Sequence, residues 1–220
     1  MSQEIPAILI AGGRPRDLVV MSRMMTQAFD GLHKPQIAYI GTANNDNPAF
    51  FQMMKFPLKN AGAGKIIFVR LAKEKPDLQR AKSMLANCDI IFLAGGEVED
   101  GMHWLKKHGL VSFLKDLYAK GKRFMGVSAG VIMMGTHWVR WEIEGNDDTA
   151  ELFDCLGFIP LIFDVHGEDE DWTELKAALK LLGKGSKGYG LPAGSMLSGD
   201  SRGTLVNLEK EYLVFVNEND

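Results

Sequence analysis

The sequence predicts a doubly wound three-layer α/β/α sandwich with a mainly parallel sheet, and three observations lead to this fold class. Short apolar segments of strand length alternate with longer amphipathic segments over the first 128 residues. The short segments are apolar at nearly every position, which is typical of parallel strands buried on both faces. Right-handed crossovers between such strands place helices on both faces of one sheet.

The elements of this first part follow in a regular order. Five strands are predicted, at 7–11, 36–41, 65–71, 89–95 and 123–128. Helices are predicted between and after them, at 17–29, 48–61, 76–87 and 101–120, the last in one or two pieces. Asn47-Pro48 and Lys75-Pro76 are predicted helix starts, because proline is well tolerated in the first turn of a helix.

The pattern changes after residue 137. HWVRWEI at 137–143 is predicted as a strand, and the apolar segment LGFIPLIFDV at 156–165 as a strand that ends at His166. A helix is expected at about 172–182, and the glycine-rich tail is expected to form one more strand and then small antiparallel ones. We expect residues 1–220 to form a single domain, since chains usually divide only beyond about 250–300 residues.

Composition and charge exclude several classes of function. The chain is 46% hydrophobic with a formal charge of −3, so it matches a soluble globular protein and lacks the basic excess needed for nucleic acid. No segment has the length of a signal or membrane span, and two cysteines are too few for a disulfide framework. A cytoplasmic protein that binds neither nucleic acid nor membrane is expected, and a homodimer is left open.

The most informative motif is Gly126-Val127-Ser128-Ala129-Gly130, which lies where the fifth strand meets a helix. A strand that turns directly into a helix projects its central residue from the carboxyl edge of the sheet, where open α/β sheets place their chemistry. The helix start also directs free amides toward Ser128, so an oxyanion could be held there. The alternative is a tight strand–helix junction that needs two glycines for steric reasons alone.

A serine nucleophile needs a base, and His166 is the best candidate among five histidines. It follows an apolar strand and precedes a glycine, so it should emerge at a sheet edge. The alternative is a capping or surface histidine. No metal is expected, because the sequence has no HExxH motif, and no dinucleotide or P-loop motif implies a cofactor.

The carboxylate that would orient the base is not unique in the sequence. Glu142 and Glu144 would share one face of a strand, and further candidates are Asp147, Asp148, Asp164 and Asp169. Residues 142–174 contain twelve acidic residues and no lysine or arginine. Such a run is usually a solvated surface, but beside a pocket it would favour cationic substrate groups, such as an α-amine or a basic side chain.

The turn Ala94-Gly95-Gly96-Glu97 follows the fourth strand. Its glycines could present a backbone amide to the same oxyanion as the amide of Ala129. The alternative is an ordinary strand-to-helix glycine turn.

Taken together, the AGGE turn at 94–97, the elbow FMGVSAG at 124–130, LGFIPLIFDVH at 156–166 and GYGLPAGSML at 188–197 resemble the serine peptidases that include α-aspartyl dipeptidase and cyanophycinase. That group is built on the class I glutamine-amidotransferase-like, flavodoxin-like fold. The resemblance implies Ser128 as nucleophile, His166 as base, and the amides of Gly96 and Ala129 as the oxyanion site. It places the acid on or next to Glu142 and Glu144, and implies a small peptide as substrate.

Two departures from this group stand out. Relatives similar to aspartyl dipeptidase have a glutamate where this chain has Ala193, and the helix after the histidine usually contains arginine, whereas 171–182 has only Lys176 and Lys180. These departures motivate a rival hypothesis, a catalytically inactive domain that binds a small molecule or a protein. A third, an esterase of the α/β-hydrolase type, is disfavoured because no histidine follows His166.

Overall fold

The computed structural model describes residues 7–11, 18–143 and 147–218. All five predicted parallel strands are present. They are β1 (Ala7–Ile10), β2 (Ile37–Ile40), β3 (Ile66–Val69), β4 (Ile90–Leu93) and β5 (Arg123–Val127). The helices that follow are α1 (Leu18–Ala28), α2 (Pro48–Asn60), α3 (Leu78–Asn87), α4 (Val98–Lys107) and α5 (Val111–Ala119).

The second part of the chain adds two helices and seven strands among the described residues. They are α6 (Ala129–Met134), β6 (His137–Trp141), β7 (Ala150–Asp154), β8 (Ile162–Val165), α7 (Thr173–Leu182), β9 (Lys187–Leu191), β10 (Met196–Gly199), β11 (Leu205–Glu209) and β12 (Leu213–Val216). No helix within the described ranges is both long and apolar enough to cross a membrane.

The main sheet has the strand order β11-β10-β1-β5-β4-β2-β3. Strands β1 to β5 are parallel to one another, and β10 and β11 extend the sheet in antiparallel fashion beyond β1. Because β5 lies between β1 and β4, the loops that follow β4 and β5 meet at one edge of the sheet. This order confirms the predicted mainly parallel α/β fold.

Alternate residues of each strand are buried on opposite faces of the sheet, as the pleat requires. Ile10 packs on one face with Met25 of α1 and Leu58 of α2. Leu9 packs on the other face, with the apolar side chains of α3, α4, α5 and α6. The two apolar clusters show that helices cover both faces, which is the three-layer arrangement expected from the sequence.

A smaller sheet and a hairpin flank the main sheet. The smaller sheet has the order β12-β9-β8, with β8 and β9 parallel, and β6 pairs with β7 as an antiparallel hairpin. Helix α7 contacts both of them, through Leu175 and Leu179 on the side of the small sheet and Ala177 and Ala178 on the side of the hairpin. This helix therefore fixes the hairpin relative to β8.

The observed elements differ from the predicted ones in three main ways. Helix α3 begins at Leu78, because Asp77 caps it by accepting a hydrogen bond of 2.9 Å from the Arg80 amide, whereas α2 begins at the predicted Pro48. The predicted strand at 156–165 is a strand only from Ile162, since residues 156–159 donate backbone hydrogen bonds to the end of α6. Strand β7 was not predicted, because the acidic residues around it resemble a surface loop.

Candidate active site

Ser128 lies between β5 and α6 with φ 53° and ψ −123°, a conformation that L-residues rarely adopt. Such a backbone costs on the order of 1–3 kcal/mol and persists only where its surroundings impose it. Here the Ser128 amide donates to the Ile10 carbonyl at 3.1 Å, and its own carbonyl accepts from the Val131 amide at 2.7 Å. The strand-to-helix turn is therefore the strained elbow that the motif predicts.

The two glycines of the elbow are required by close backbone contacts. A Cβ on Gly126 would lie 2.6 Å from the carbonyl oxygen of Gly130, and a Cβ on Gly130 would lie 2.2 Å from that of Leu93. Both distances are too short for any side chain. The glycines allow α6 to start directly against β4 and β5.

His166 reaches Ser128 from the other sheet. It follows β8 with φ 45°, and its amide donates to the Leu191 carbonyl at 2.8 Å. Its ring nitrogen Nε2 lies 2.8 Å from Ser128 Oγ, which is a hydrogen-bonding distance. The structure thus brings together the serine and the histidine, which are 38 residues apart in the chain.

The AGGE turn lies beside the same serine. Gly95 faces it so closely that a Cβ there would be 3.1 Å from Ser128 Cβ. The turn is held by Asn44 Nδ2, which donates to the Gly95 carbonyl at 2.8 Å, and by the Glu97 amide, which donates to the Ala43 carbonyl at 2.6 Å. Gly96 and Ala129 both line the pocket at Ser128, where their backbone amides could face an oxyanion.

Among the described residues, Asp164 is the one carboxylate predicted from the sequence that lines the pocket at Ser128. Glu142 is exposed on a bend after β6 and does not line the pocket at Ser128. Glu144 lies outside the described residues, and for Asp147 only the backbone is described. Within the described ranges, no carboxylate is hydrogen-bonded to His166.

Two of the carboxyl groups that line the pocket, those of Asp164 and Glu174, are largely buried. Burial raises the pKa of Asp164 to about 7, and the negative charges of Glu174 and Glu170 add to this effect. Burial also raises the pKa of Glu174, although the Trp138 indole opposes the shift by donating a hydrogen bond of 2.7 Å to Oε2. An electrostatic interaction with His166 also lowers the pKa of Glu174, and it is the smallest of the named causes.

Sequence reasoning named Asp164 only as one of several acids, and it missed Glu174 and Trp138. Glu174 lies in the first turn of α7, where an acidic residue is ordinary. Its position in the same pocket as His166 depends on how α7 packs against β6 and β8. No local motif could have indicated it.

The pocket has a cavity volume of about 220 Å³ and is lined in part by Val98, Ile132 and Trp138. In the part of the chain that the structure describes, no cluster of three or more histidine, cysteine or acidic side chains could hold a metal ion. The polar groups that line the pocket are a hydroxyl, an imidazole, backbone amides and carboxyl groups.

An α/β sandwich with a serine at a strained strand–helix elbow is characteristic of serine hydrolases. The model of peptidase family S51 matches residues 7–205, which is most of the chain. The protein therefore belongs to peptidase family S51 and is a serine-type peptidase.

Solved structures show the same fold at low sequence identity. A Listeria monocytogenes EGD-e protein provisionally named peptidase E superposes with a TM-score of 0.69 at 15% identity, covering 95% of this chain and 100% of that one. A peptidase from an acI-B1 Actinobacterium gives a TM-score of 0.61 at 12% identity, covering 96% of this chain and 97% of that one. The comparison with curated proteins gives no match.

Proposed function

We propose that the protein hydrolyses short peptides, or unusual amide linkages, through an acyl-enzyme on Ser128. The observation that carries this proposal is the distance of 2.8 Å between Ser128 Oγ and His166 Nε2 at a strained elbow. A serine hydroxyl becomes a useful nucleophile when a neutral imidazole accepts its proton.

The reaction would run in two halves. His166 takes the proton of Ser128 as Oγ attacks the carbonyl carbon, and the resulting oxyanion accepts hydrogen bonds from the amides of Gly96 and Ala129. His166 then gives the proton to the leaving amine, so that the C–N bond breaks and the acyl group remains on Ser128. His166 then takes a proton from water as the water oxygen attacks the ester carbonyl, and it returns this proton to Ser128 Oγ as the C–Oγ bond breaks and the acid is released.

Three residues are candidates for the carboxylate that would orient His166. The resemblance places it on or next to Glu142 and Glu144, whereas Glu174 is a described acid that interacts electrostatically with His166. Any of them would stabilise the imidazolium that forms during attack. Replacing each by glutamine and measuring kcat/KM would identify the orienting carboxylate as the one whose replacement reduces kcat/KM most.

The size of the pocket supports short substrates. Pockets for drug-sized ligands usually measure about 300–1,000 Å³, and this one has about 220 Å³. Such a space suits one residue of a small peptide better than a folded chain. A narrow pocket would also restrict proteolysis to small substrates.

A fluorophosphonate probe tests the nucleophile directly, because it labels activated serines irrespective of the natural substrate. The wild-type protein and the control Ser112→Ala, which removes an exposed hydroxyl outside the pocket at Ser128, should be labelled. Ser128→Ala should remain unlabelled. Equal labelling of all three proteins would refute the assignment, and no labelling of any would favour the inactive binding domain.

A further inference from the structure

The pocket at Ser128 carries more negative charge than the proposed reaction needs. Glu97, Asp164, Glu170 and Glu174 line it, and His166 is the one basic side chain among its described lining residues. The pocket is identified as a site by the serine and the histidine. The carboxyl groups then influence which ligand binds in this pocket.

Neighbouring cations do not neutralise this charge. Arg140 is paired with Glu99 and Glu151, and Lys176 is paired with Asp171 at 2.7 Å. In the described ranges, Glu97, Glu170 and Glu174 form no ion pair with lysine or arginine. The free pocket is therefore an uncompensated region of negative potential.

The carboxyl groups also repel one another. Apart from burial, which is the largest cause, the charges of Glu170 and Glu97 raise the pKa of Glu174. The charges of Glu174 and Glu170 raise that of Asp164 in the same way. A bound cation would relieve this repulsion, and its binding would be favoured by the same interactions.

The shape of the pocket suits an organic cation. Val98, Ile132 and Trp138 provide apolar surface for an alkyl chain. The Trp138 indole donates a hydrogen bond to Oε2 of Glu174, and no described residue donates one to Oε1. Since the described residues include no cluster able to hold a metal ion, the carboxylates are better suited to an extended group with several N–H donors.

We propose that this pocket selects substrates whose acyl residue carries a cationic group, a protonated amine or a guanidinium, bound by Glu97, Glu170 and Glu174. That the bound molecule is a substrate rests on the proposed hydrolase function, whereas the preference for a cation is a property of binding alone. The cation has two possible sources, the α-amine or a basic side chain, and both present the same chemistry.

Binding to the Ser128→Ala variant tests the preference without turnover. Four ligands are compared by calorimetry, namely the amides of lysine, Nα-acetyl-lysine, norleucine and Nα-acetyl-norleucine. We expect the doubly neutral Nα-acetyl-norleucine amide to bind at least about tenfold more weakly than the best cationic ligand. Tight binding of Nα-acetyl-lysine amide would assign the side chain, and tight binding of norleucine amide would assign the α-amine.

Glutamine variants then test the named carboxylates in the same Ser128→Ala background. The Glu97→Gln/Glu170→Gln double variant and Glu174→Gln should each reduce the preference for a cation, and all three together should bring it to within about twofold. Glutamine at 174 can still accept the hydrogen bond from Trp138. The control Glu211→Gln removes an exposed charge outside the pocket and should retain the preference.

Equal affinity for all four ligands, or a preference that survives the triple variant, would overturn the inference. Its failure can be distinguished from failure of the proposed function. Fluorophosphonate labelling of Ser128 without any cation preference would leave the hydrolase and refute the specificity. A cation preference without labelling would leave a cation-binding pocket and refute the hydrolase.

Discussion

Ser128 is half-buried at the end of β5 in the main sheet, whereas His166 is exposed at the end of β8 in the smaller sheet. We call β1, β4, β5 and α6 the nucleophile region, and β8, α7 and the β6–β7 hairpin the histidine region. In the first, steric contacts between backbones fix the serine. In the second, polar and charged side chains surround the histidine. Steric contacts therefore position the serine, whereas electrostatic interactions act on the histidine.

The largest expected effect is a loss of activity without a loss of stability in the histidine region. His166→Asn should reduce kcat/KM by at least about 10³-fold, because the serine loses its base. Asparagine tolerates the positive φ of 45° at this position, so the free energy of unfolding should change little. The control His103→Asn, on an exposed part of α4, should retain activity. A fully active His166→Asn would remove the histidine from the mechanism.

The pH dependence of stability tests the electrostatic part of the histidine region. The pKa of Asp164 in the folded protein is about 7, above that of an unfolded aspartate near 3.9. Between these values the native state holds a proton that the unfolded state has lost. The free energy of unfolding should therefore decrease as pH rises from about 4 to about 7, by on the order of 2–4 kcal/mol, and then level off.

Asp164→Asn mimics the protonated carboxyl and should remove most of this decrease in denaturation experiments across that pH range. The control Asp30→Asn, an exposed position, should keep it. A pH profile of Asp164→Asn identical to that of the wild type would contradict the assignment.

A matched pair of glycine variants tests the steric part, in the nucleophile region. Gly130→Ala places a Cβ 2.2 Å from the Leu93 carbonyl oxygen, so it should destabilise the protein by about 1–3 kcal/mol or more and reduce labelling of Ser128. Gly109→Ala meets no atom within 4 Å and bears only the strain of its φ of 61°. Denaturant titration should show the smaller loss for Gly109→Ala, with labelling retained. An equal loss would mean that packing at the elbow is not the cause.

The smallest effect concerns the link between α7 and the hairpin. Trp138→Phe removes the donor to Glu174, which should cost about 1–2 kcal/mol and raise the pKa of Glu174 further. Trp104→Phe removes a hydrogen bond to Asn45 on an exposed surface and should cost less. The two unfolding free energies are compared at pH 7. A larger loss in Trp104→Phe would show that the Trp138–Glu174 contact is unimportant.

The nucleophile region could be predicted almost entirely from the sequence. Its strands are continuous apolar runs, and Gly126 and Gly130 mark the elbow, because local sterics dictate both features. His166 could be selected because it follows an apolar strand. These signals are local, so a single sequence contains them.

The surroundings of the histidine could not be predicted in the same way. The sequence of β7 contains acidic residues and is flanked by others, so it resembles a surface loop. The contact between Glu174 and Trp138 depends on the packing of α7 between the hairpin and β8. Acidic residues are so frequent in 142–174 that no spacing distinguishes a buried carboxylate from a solvated one. Tertiary packing alone makes that distinction.

The most direct test of the central claim is to map the site and rate of fluorophosphonate modification by mass spectrometry in the wild type and in His166→Asn. We expect one adduct per chain, on the peptide that contains Ser128, formed far more slowly without His166. Modification at another serine, or equal rates in the two proteins, would contradict the account.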